Sequence, residues 1–181
     1  MSADLQKAQK SFAIQDVYIC DANLWADRTF DPSSLVAAPT HVQFKLSPTN
    51  NCETILLDPP VNNIRYLVRY LLGTGLRILK PSADPANPNI TRDDLLVEIQ
   101  TTFVVRYAVL PEQEAPTPEM ITAFNDNAVH HVWPYWREFL QAAALRLRVP
   151  PIILPMHFAR PAEQAAASPA IEAVASPDQQ N

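Results

Sequence analysis

The stretch that decides the fold is residues 125–158, NDNAVHHVWPYWREFLQAAALRLRVPPIILPMHF. Its apolar residues recur at steps of three and four, which is the period of one helix face. They are Val129, Val132, Trp133, Trp136, Leu140, Ala143 and Leu147. Pro150 and Pro151 end the pattern, because the residue before a proline disfavours helical conformation. We predict one long helix over about 129–148, kinked or restarted at Pro134, whose apolar face packs against a sheet or a second subunit.

Alternation with a period of two predicts strands earlier in the chain. In the clearest case, 95–109, Leu95 begins an apolar face and Glu98 lies on the wetter one. The other elements are strands over 11–24, 42–46 and 64–78, a loop over 48–63 and a helix from Thr117 towards Asn127. Because the strands precede the helices without helical crossovers, we predict an α+β fold. It consists of a four-stranded antiparallel sheet packed against a long C-terminal helix.

Composition predicts one folded domain with less ordered ends. The chain has 181 residues, 48% of them hydrophobic and 18% charged, which suits one globular core. We predict a flexible N-terminus over 1–10, one folded domain over 11–160 and a disordered Ala/Pro-rich tail over 161–181.

Charge and residue usage argue against several classes of function. A net charge of −5 disfavours nucleic acid and anionic membranes as partners, and no apolar run approaches the roughly 20 residues of a membrane span. Two glycines cannot build a phosphate-binding loop, and adjacent His130 and His131 diverge on a helix, so no cofactor or metal is expected. Cys20 and Cys52 have no redox spacing, which favours a reducing cytoplasm. No catalytic arrangement is evident, and we predict that the protein is not an enzyme.

Four segments carry a family resemblance. Residues 12–21 read FAIQDVYICD, close to the pattern F-x-I-Q-x-I-Y-x-x-D, and residues 96–100 read LVEIQ. Residues 134–138 read PYWRE, close to P-Y-x-R-E, and the apolar, proline-bearing PPIILPMHF follows at 150–158. Over about residues 12–158 the chain therefore resembles the SecB family of protein-export chaperones.

The resemblance implies a cytoplasmic homotetramer, a dimer of dimers, with long helices between sheets. It implies ATP-independent binding of unfolded secretory precursors in apolar grooves and their delivery to the SecA motor of the translocase. In the family, acidic residues on the outer face of the sheet dock the motor's basic tail. Asp21 and Glu98 match two of these positions, with Leu96 beside Glu98.

Two sets of apolar residues are candidates for holding other chains. Apolar side chains in proline-stiffened coil are expected to contact a client, with ordinary loop packing as the alternative. This client set comprises Phe30, Leu35, Val36, Ile152, Ile153, Leu154 and Phe158. Trp133, Trp136 and Leu140 are expected in the core or in a subunit interface.

Departures from the family pattern keep other functions open. Trp25 stands where the family has a further acidic residue, and an alanine-rich tail replaces the family's last helix. Besides a general export holdase, we therefore consider a dedicated chaperone of one partner, such as an antitoxin. A small-molecule enzyme or carrier in the cleft between sheet and helix is a third hypothesis, which no site chemistry supports.

Overall fold

The computed structural model describes residues 2–33, 35, 40–46, 51–111, 113–152 and 154. Within these residues, the elements with complete bounds include three α-helices and five strands, and the five strands form one sheet. In chain order they are helix α1 (Ala3–Ser11), strands β1 (Phe12–Ala26), β2 (Val42–Leu46), β3 (Asn51–Val61), β4 (Ile64–Leu79) and β5 (Leu95–Val109), and helices α2 (Pro118–Ala123) and α3 (Asn125–Arg146). A short 3-10 helix, Arg92–Asp94, leads into β5.

The sheet is entirely antiparallel. Its order is β1-β5-β4-β2, and β3 also pairs with β4. Strand β5 pairs with one edge of β4. Strands β2 and β3 pair with successive parts of the other edge of β4. The predicted class, an antiparallel sheet with a long C-terminal helix, is confirmed, with one strand more than expected.

The additional strand, β3, lies where a loop was predicted. Its Pro59 and Pro60 fall where the pairing with β4 is interrupted, between Leu56 and Val61. On an edge strand a proline leaves no donor missing from the sheet. Asn62 and Asn63 have φ values of 51° and 63°, the left-handed turn that closes a tight hairpin. The asparagines therefore do mark a turn, but the turn closes the β3–β4 hairpin and is not part of a long loop.

Helix α3 covers the inner face of β4 and β5. Trp136 is 2% exposed and meets Phe103 of β5 edge-to-face at 6.5 Å between ring centroids. The predicted stripe is confirmed: Val129, Val132, Trp136, Leu140 and Ala143 are buried, while Trp133 and Leu147 are half-buried. The helix is continuous through Pro134, whose ring lies on the exposed side.

Buried aromatic rings join the start of α3 to the sheet. Tyr107 of β5 meets Phe124 at 5.1 Å and Tyr70 of β4 at 5.7 Å, both nearly perpendicular. The Tyr70 hydroxyl donates to the Ile121 carbonyl at 2.9 Å, and the Tyr107 hydroxyl lies 2.8 Å from Nδ1 of His131. Burial raises the pKa of both tyrosines, so the hydroxyls remain neutral hydrogen-bonding groups.

Helix α1 occupies residues for which a flexible segment was predicted. The Ser2 hydroxyl accepts from Leu5 N–H at 3.2 Å, and Ala8 is fully buried. Lys7 forms an ion pair with Glu114 at 3.4 Å. The apolar face of this helix consists of small or isolated residues, which explains why periodicity did not reveal it. The tail at 161–181 lies outside the described residues.

Replacing Trp136 with alanine is expected to be severe. The change removes a fully buried indole, and such truncations cost about 3–5 kcal/mol of unfolding free energy. Leu145→Ala, on the same helix but 74% exposed, is the matched control and should change stability by about 0.5 kcal/mol or less. Urea denaturation measures both variants. A loss below about 1 kcal/mol for Trp136→Ala would show that this face is not the core.

His131 should make stability depend on pH. Burial, and to a lesser degree neighbouring His130, lower the pKa of His131 from its ordinary value of 6.5. Just below pH 6.5 the unfolded chain therefore binds more protons than the folded one. The contribution of His131 to the free energy of unfolding is therefore fully present above pH 6.5 and declines as pH falls through that value. Between pH 7.5 and 5.5 the denaturation midpoint should fall less in His131→Gln than in the wild type. Exposed His130→Gln should retain most of the wild-type dependence, and equal slopes in all three proteins would contradict the prediction.

Candidate functional site

An open apolar groove of about 470 Å³ runs between β1 and α3. We call it the β1–α3 groove. Its lining consists of Val17, Tyr18, Ile19, Leu24 and Phe103 from the sheet and Tyr135, Glu138, Phe139, Ala142, Ala143 and Arg146 from α3. Only Glu138 and Arg146 are charged, and both belong to the helix.

The groove exists because α3 covers the centre of the sheet and leaves its edge open. Trp136 and Leu140 point to the core, whereas Tyr135 and Phe139 lie towards β1. Phe139 stacks on Trp136 at 6.2 Å, which fixes one wall. Ile19 is 38% exposed, Leu24 is 38% exposed and Tyr135 is 46% exposed. Exposed apolar residues that share one concave surface are typical of binding sites.

The free edge of β1 borders the groove. Among the described strands, β1 pairs only with β5. Two irregularities interrupt that pairing, between Ile14 and Asp16 and between Ile19 and Asp21. Bulges of this kind prevent long regular pairing at an exposed edge. The edge therefore offers peptide groups for short stretches of an added strand.

Two of the residues expected to dock a motor, Asp21 and Glu98, lie on the opposite, outer face of the sheet. Asp21 is exposed there, whereas Leu96 is half-buried at an irregularity of the β4–β5 pairing and packs against the core. Glu98, expected on a solvated face, is only 6% exposed. Arg77 Nε donates to its carboxylate at 2.7 Å and Gln100 Nε2 donates at 2.9 Å. Alternation placed Glu98 on the correct face, but neighbouring side chains cover it, and its docking role stays a prediction.

Other outer-face carboxylates are also paired with arginines. Asp16 contacts Arg106 at 2.8 Å, and Glu53 contacts Arg69 at 2.7 Å. Arg106 and Arg69 are direct neighbours on β5 and β4, so the four residues form one row across four strands. The arginines offset most of the negative charge of this face.

The expected client residues are only partly described. Phe30 and Leu35 are half-buried against the core, and Ile152 and Leu154 are buried in it. The coil after α3 folds back on the helix end, where Val149 N–H donates to the Ala144 carbonyl at 2.9 Å. Ile152 and Leu154 therefore act mainly as core residues here. Val36, Ile153 and Phe158 lie outside the described residues.

Sequence reasoning missed the residues of the β1–α3 groove. Tyr135, Phe139 and Ala142 are spaced by four and three, which is a second, narrower apolar strip beside the predicted one. Ile14, Ile19 and Leu24 share the inner face of β1, but the irregular pairing breaks their period of two. The helix signal was therefore present in the sequence, whereas the strand signal was hidden.

Searches for two other kinds of site returned nothing in the described part of the chain. No three His, Cys, Asp or Glu side chains are grouped so that they could hold a metal ion. Among the described helices, none combines the length and the apolar character needed to cross a membrane.

A solved structure with a similar fold gives the groove a context. The SecB-like chaperone Rv1957 of Mycobacterium tuberculosis, determined in complex with a ChAD peptide from the HigA1 antitoxin Rv1956, superposes with a TM-score of 0.64. The two sequences are 17% identical, and the match covers 88% of this chain and 99% of the other. No family model matches the chain, and no curated protein matches it. The likeness shows that the fold is SecB-like.

Removing the Arg77 side chain should destabilise the fold, because it leaves the buried charge of Glu98 unpaired. Arg77→Leu leaves the Glu98 carboxylate buried without its cation, which costs about 2–4 kcal/mol of unfolding free energy. The double change Arg77→Leu/Glu98→Leu removes both charges and should recover most of that loss. Denaturation of the two single variants and the double variant measures the coupling. If the effects of the single changes simply add, Glu98 does not depend on Arg77 for its burial.

Proposed function

We propose that this protein is a SecB-like chaperone that holds an apolar segment of one partner polypeptide, such as an antitoxin, without nucleotide. The observation that carries the proposal is the open β1–α3 groove in a SecB-like fold. The similar Mycobacterium tuberculosis chaperone was solved with an antitoxin peptide bound, which supports this class of partner. Holding a chain in this way requires no catalytic group and no cofactor.

The groove and the β1 edge together suit an extended segment. Side chains of the segment would remove Ile19, Leu24 and Tyr135 from water, at roughly 25 cal/mol per Å² of apolar surface buried. Its peptide groups would meet the unpaired edge of β1 in the manner of strand addition. Folded proteins usually pair or protect their strand edges, so the site favours unfolded or not yet folded partners.

General protein export is the second candidate. In that function the protein would bind many unfolded secretory precursors in the cytoplasm and deliver them to a SecA-type motor. Exposed Asp21 on the outer face supports it. The ion pair between Glu98 and Arg77 counts against it, since a buried, paired carboxylate attracts a basic tail weakly. We therefore place the dedicated role first.

We also propose the homotetramer that the family resemblance implies. Copies have a candidate contact in the same region, because an unpaired edge beside an apolar surface suits a second copy as well as a client. Light scattering with and without a saturating client peptide tests this. A mass of four chains that peptide leaves unchanged supports both proposals, whereas a fall in mass on peptide binding would mean that copies occupy the groove.

Charge placed in the groove should weaken client binding. Ile19→Asp and Phe139→Asp introduce a carboxylate among apolar lining residues, and each should weaken binding of an unfolded or antitoxin-derived segment at least tenfold. Leu145→Asp adds the same charge to α3 outside the lining and should bind normally. Fluorescence anisotropy with a labelled segment measures affinity, and circular dichroism verifies folding. Normal binding by folded groove variants would move the client site elsewhere.

A further inference from the structure

We propose that the outer face of the sheet docks an acidic, extended segment of a second partner protein. The site is the corner of that face around Trp25, and we call it the Trp25 corner. It comprises Trp25, Lys45, Gly75, Arg77, Arg92 and Glu98. It lies on the face of the sheet that α3 does not cover, so the inference goes beyond the proposed function and does not depend on it.

The register of the strands brings these residues onto one face. Trp25 of β1 is opposite Glu98 of β5, which is in turn opposite Arg77 of β4. Residues directly opposite one another in an antiparallel pair share a face. Two positions before Arg77, Gly75 is opposite Lys45 of β2, and alternation keeps that pair on the same face. The corner therefore crosses four strands, which is about 14 Å at about 4.8 Å between strands.

Positive charge exceeds negative charge at the Trp25 corner, although the whole chain has a net charge of −5. Glu98 is 6% exposed, and its carboxylate accepts from Arg77 Nε at 2.7 Å, so these two charges offset one another. Lys45 and Arg92 are exposed, and neither has an ion pair among the described residues. A partner with carboxylates is therefore attracted to this corner, against the overall charge of the protein.

Trp25 and Arg92 form a prepared contact. The guanidinium carbon of Arg92 lies 4.9 Å from the centroid of the indole ring, and Trp25 itself is half-buried. Stacking orients the guanidinium and leaves its N–H donors free to bind a carboxylate through two parallel hydrogen bonds. Tryptophan and arginine are also the residue types that most often contribute large binding energies at protein interfaces. This pair is therefore the expected anchor of the docked segment.

The two glycines of the chain, Gly73 and Gly75, both lie on this face of β4. Neither has a positive φ, and the pairing with β5 is regular here, so neither a turn nor a bulge requires them. A Cβ on Gly75 would lie 3.5 Å from Lys45 Cβ and 3.6 Å from the Ile99 carbonyl oxygen, which are ordinary contacts. Glycine inside a strand often marks a place where another backbone approaches closely. The low strip beside Lys45 therefore lets a segment lie close to the sheet.

Neighbouring acids determine the path of the segment. Two of them have partners of their own: Asp94 accepts from the N–H and hydroxyl groups of Thr91 at 2.8 Å, and Asp27 pairs with Lys80 at 2.9 Å. Exposed Asp21 lies farther back along β1 and repels a carboxylate there. The segment is therefore expected to cross β5 and β4 from Trp25 towards β2, away from Asp21.

The distance between the free cations defines the partner. Arg92, beside the outermost strand β1, and Lys45, on β2, stand at opposite ends of the corner. An extended chain covers about 14 Å in about four residues, at roughly 3.3 Å each. The preferred segment therefore has acidic residues about four positions apart, with small or polar residues between them.

The test compares two labelled peptides with blocked termini. One alternates Glu with Ser, and the other has Lys in place of every Glu. At low salt the acidic peptide should bind the full chain at least tenfold tighter than the basic one, and the preference should shrink at high salt because the cations are exposed. Fluorescence anisotropy measures both affinities. Neither peptide has an apolar residue, so the apolar site of the proposed function does not contribute to the result.

Reversing the free charges should remove the preference. The double variant Lys45→Glu/Arg92→Glu should bind the acidic peptide at least tenfold more weakly than the wild type. The matched control Lys10→Glu/Arg148→Glu changes the net charge equally at exposed positions outside the sheet and should bind normally. Circular dichroism verifies that both variants are folded.

Three outcomes would overturn the inference. They are equal or absent binding of the acidic peptide, acidic-peptide binding that survives in the folded Lys45→Glu/Arg92→Glu variant, and tighter binding of the basic peptide. The last outcome would instead favour a basic motor tail on this face and therefore the export function. None of the three bears on client binding, which the groove variants test separately.

Discussion

Burial of one face of α3 against β4 and β5 is the interaction on which the rest of the structure depends. Trp136 and Leu140 have almost no surface left in water, and their neighbours on the sheet are equally buried. Their burial fixes the position of the helix over the sheet and therefore also the direction of its remaining side chains. Tyr135 and Phe139 turn towards β1 only because Trp136, between them, is held in the core.

One helix is too narrow to cover a sheet of this width. The strands at the centre are buried on the inner face, whereas β1 keeps Ile14, Ile19 and Leu24 partly exposed. The outer face is not covered by α3; its arginines form ion pairs with carboxylates on adjacent strands. The molecule thus has one nearly neutral, internally paired face and one apolar opening beside a free strand edge. The apolar opening is therefore the surface at which we expect a chain to bind.

The sequence predicted the parts of the fold where a single period persists. The stripe on α3 and the alternating face of β5 were visible because each element buries one face. Apolar residues therefore recur with the period of the helix or the strand. Strand β3 was hidden by the prolines and asparagines of its hairpin, and α1 by its small apolar face. Glu98 was placed on the correct face, but its burial depends on Arg77 from a strand distant in sequence, which no local pattern contains. The groove was missed for a similar reason, because it combines irregular positions of β1 with the second strip of α3.

The difference between the two faces of the sheet is consistent with the proposed role of a chaperone with few partners. A generalist needs an adaptable apolar surface and a separate acidic surface for its motor. Here one of the two matched acidic positions, Glu98, already has an intramolecular cation, and the lining of the groove includes one acid and one base, both on α3. Fixed charges beside an apolar site favour partners with complementary charges and disfavour partners with like charges. We therefore expect the groove to suit few partners better than many, as the proposed function requires.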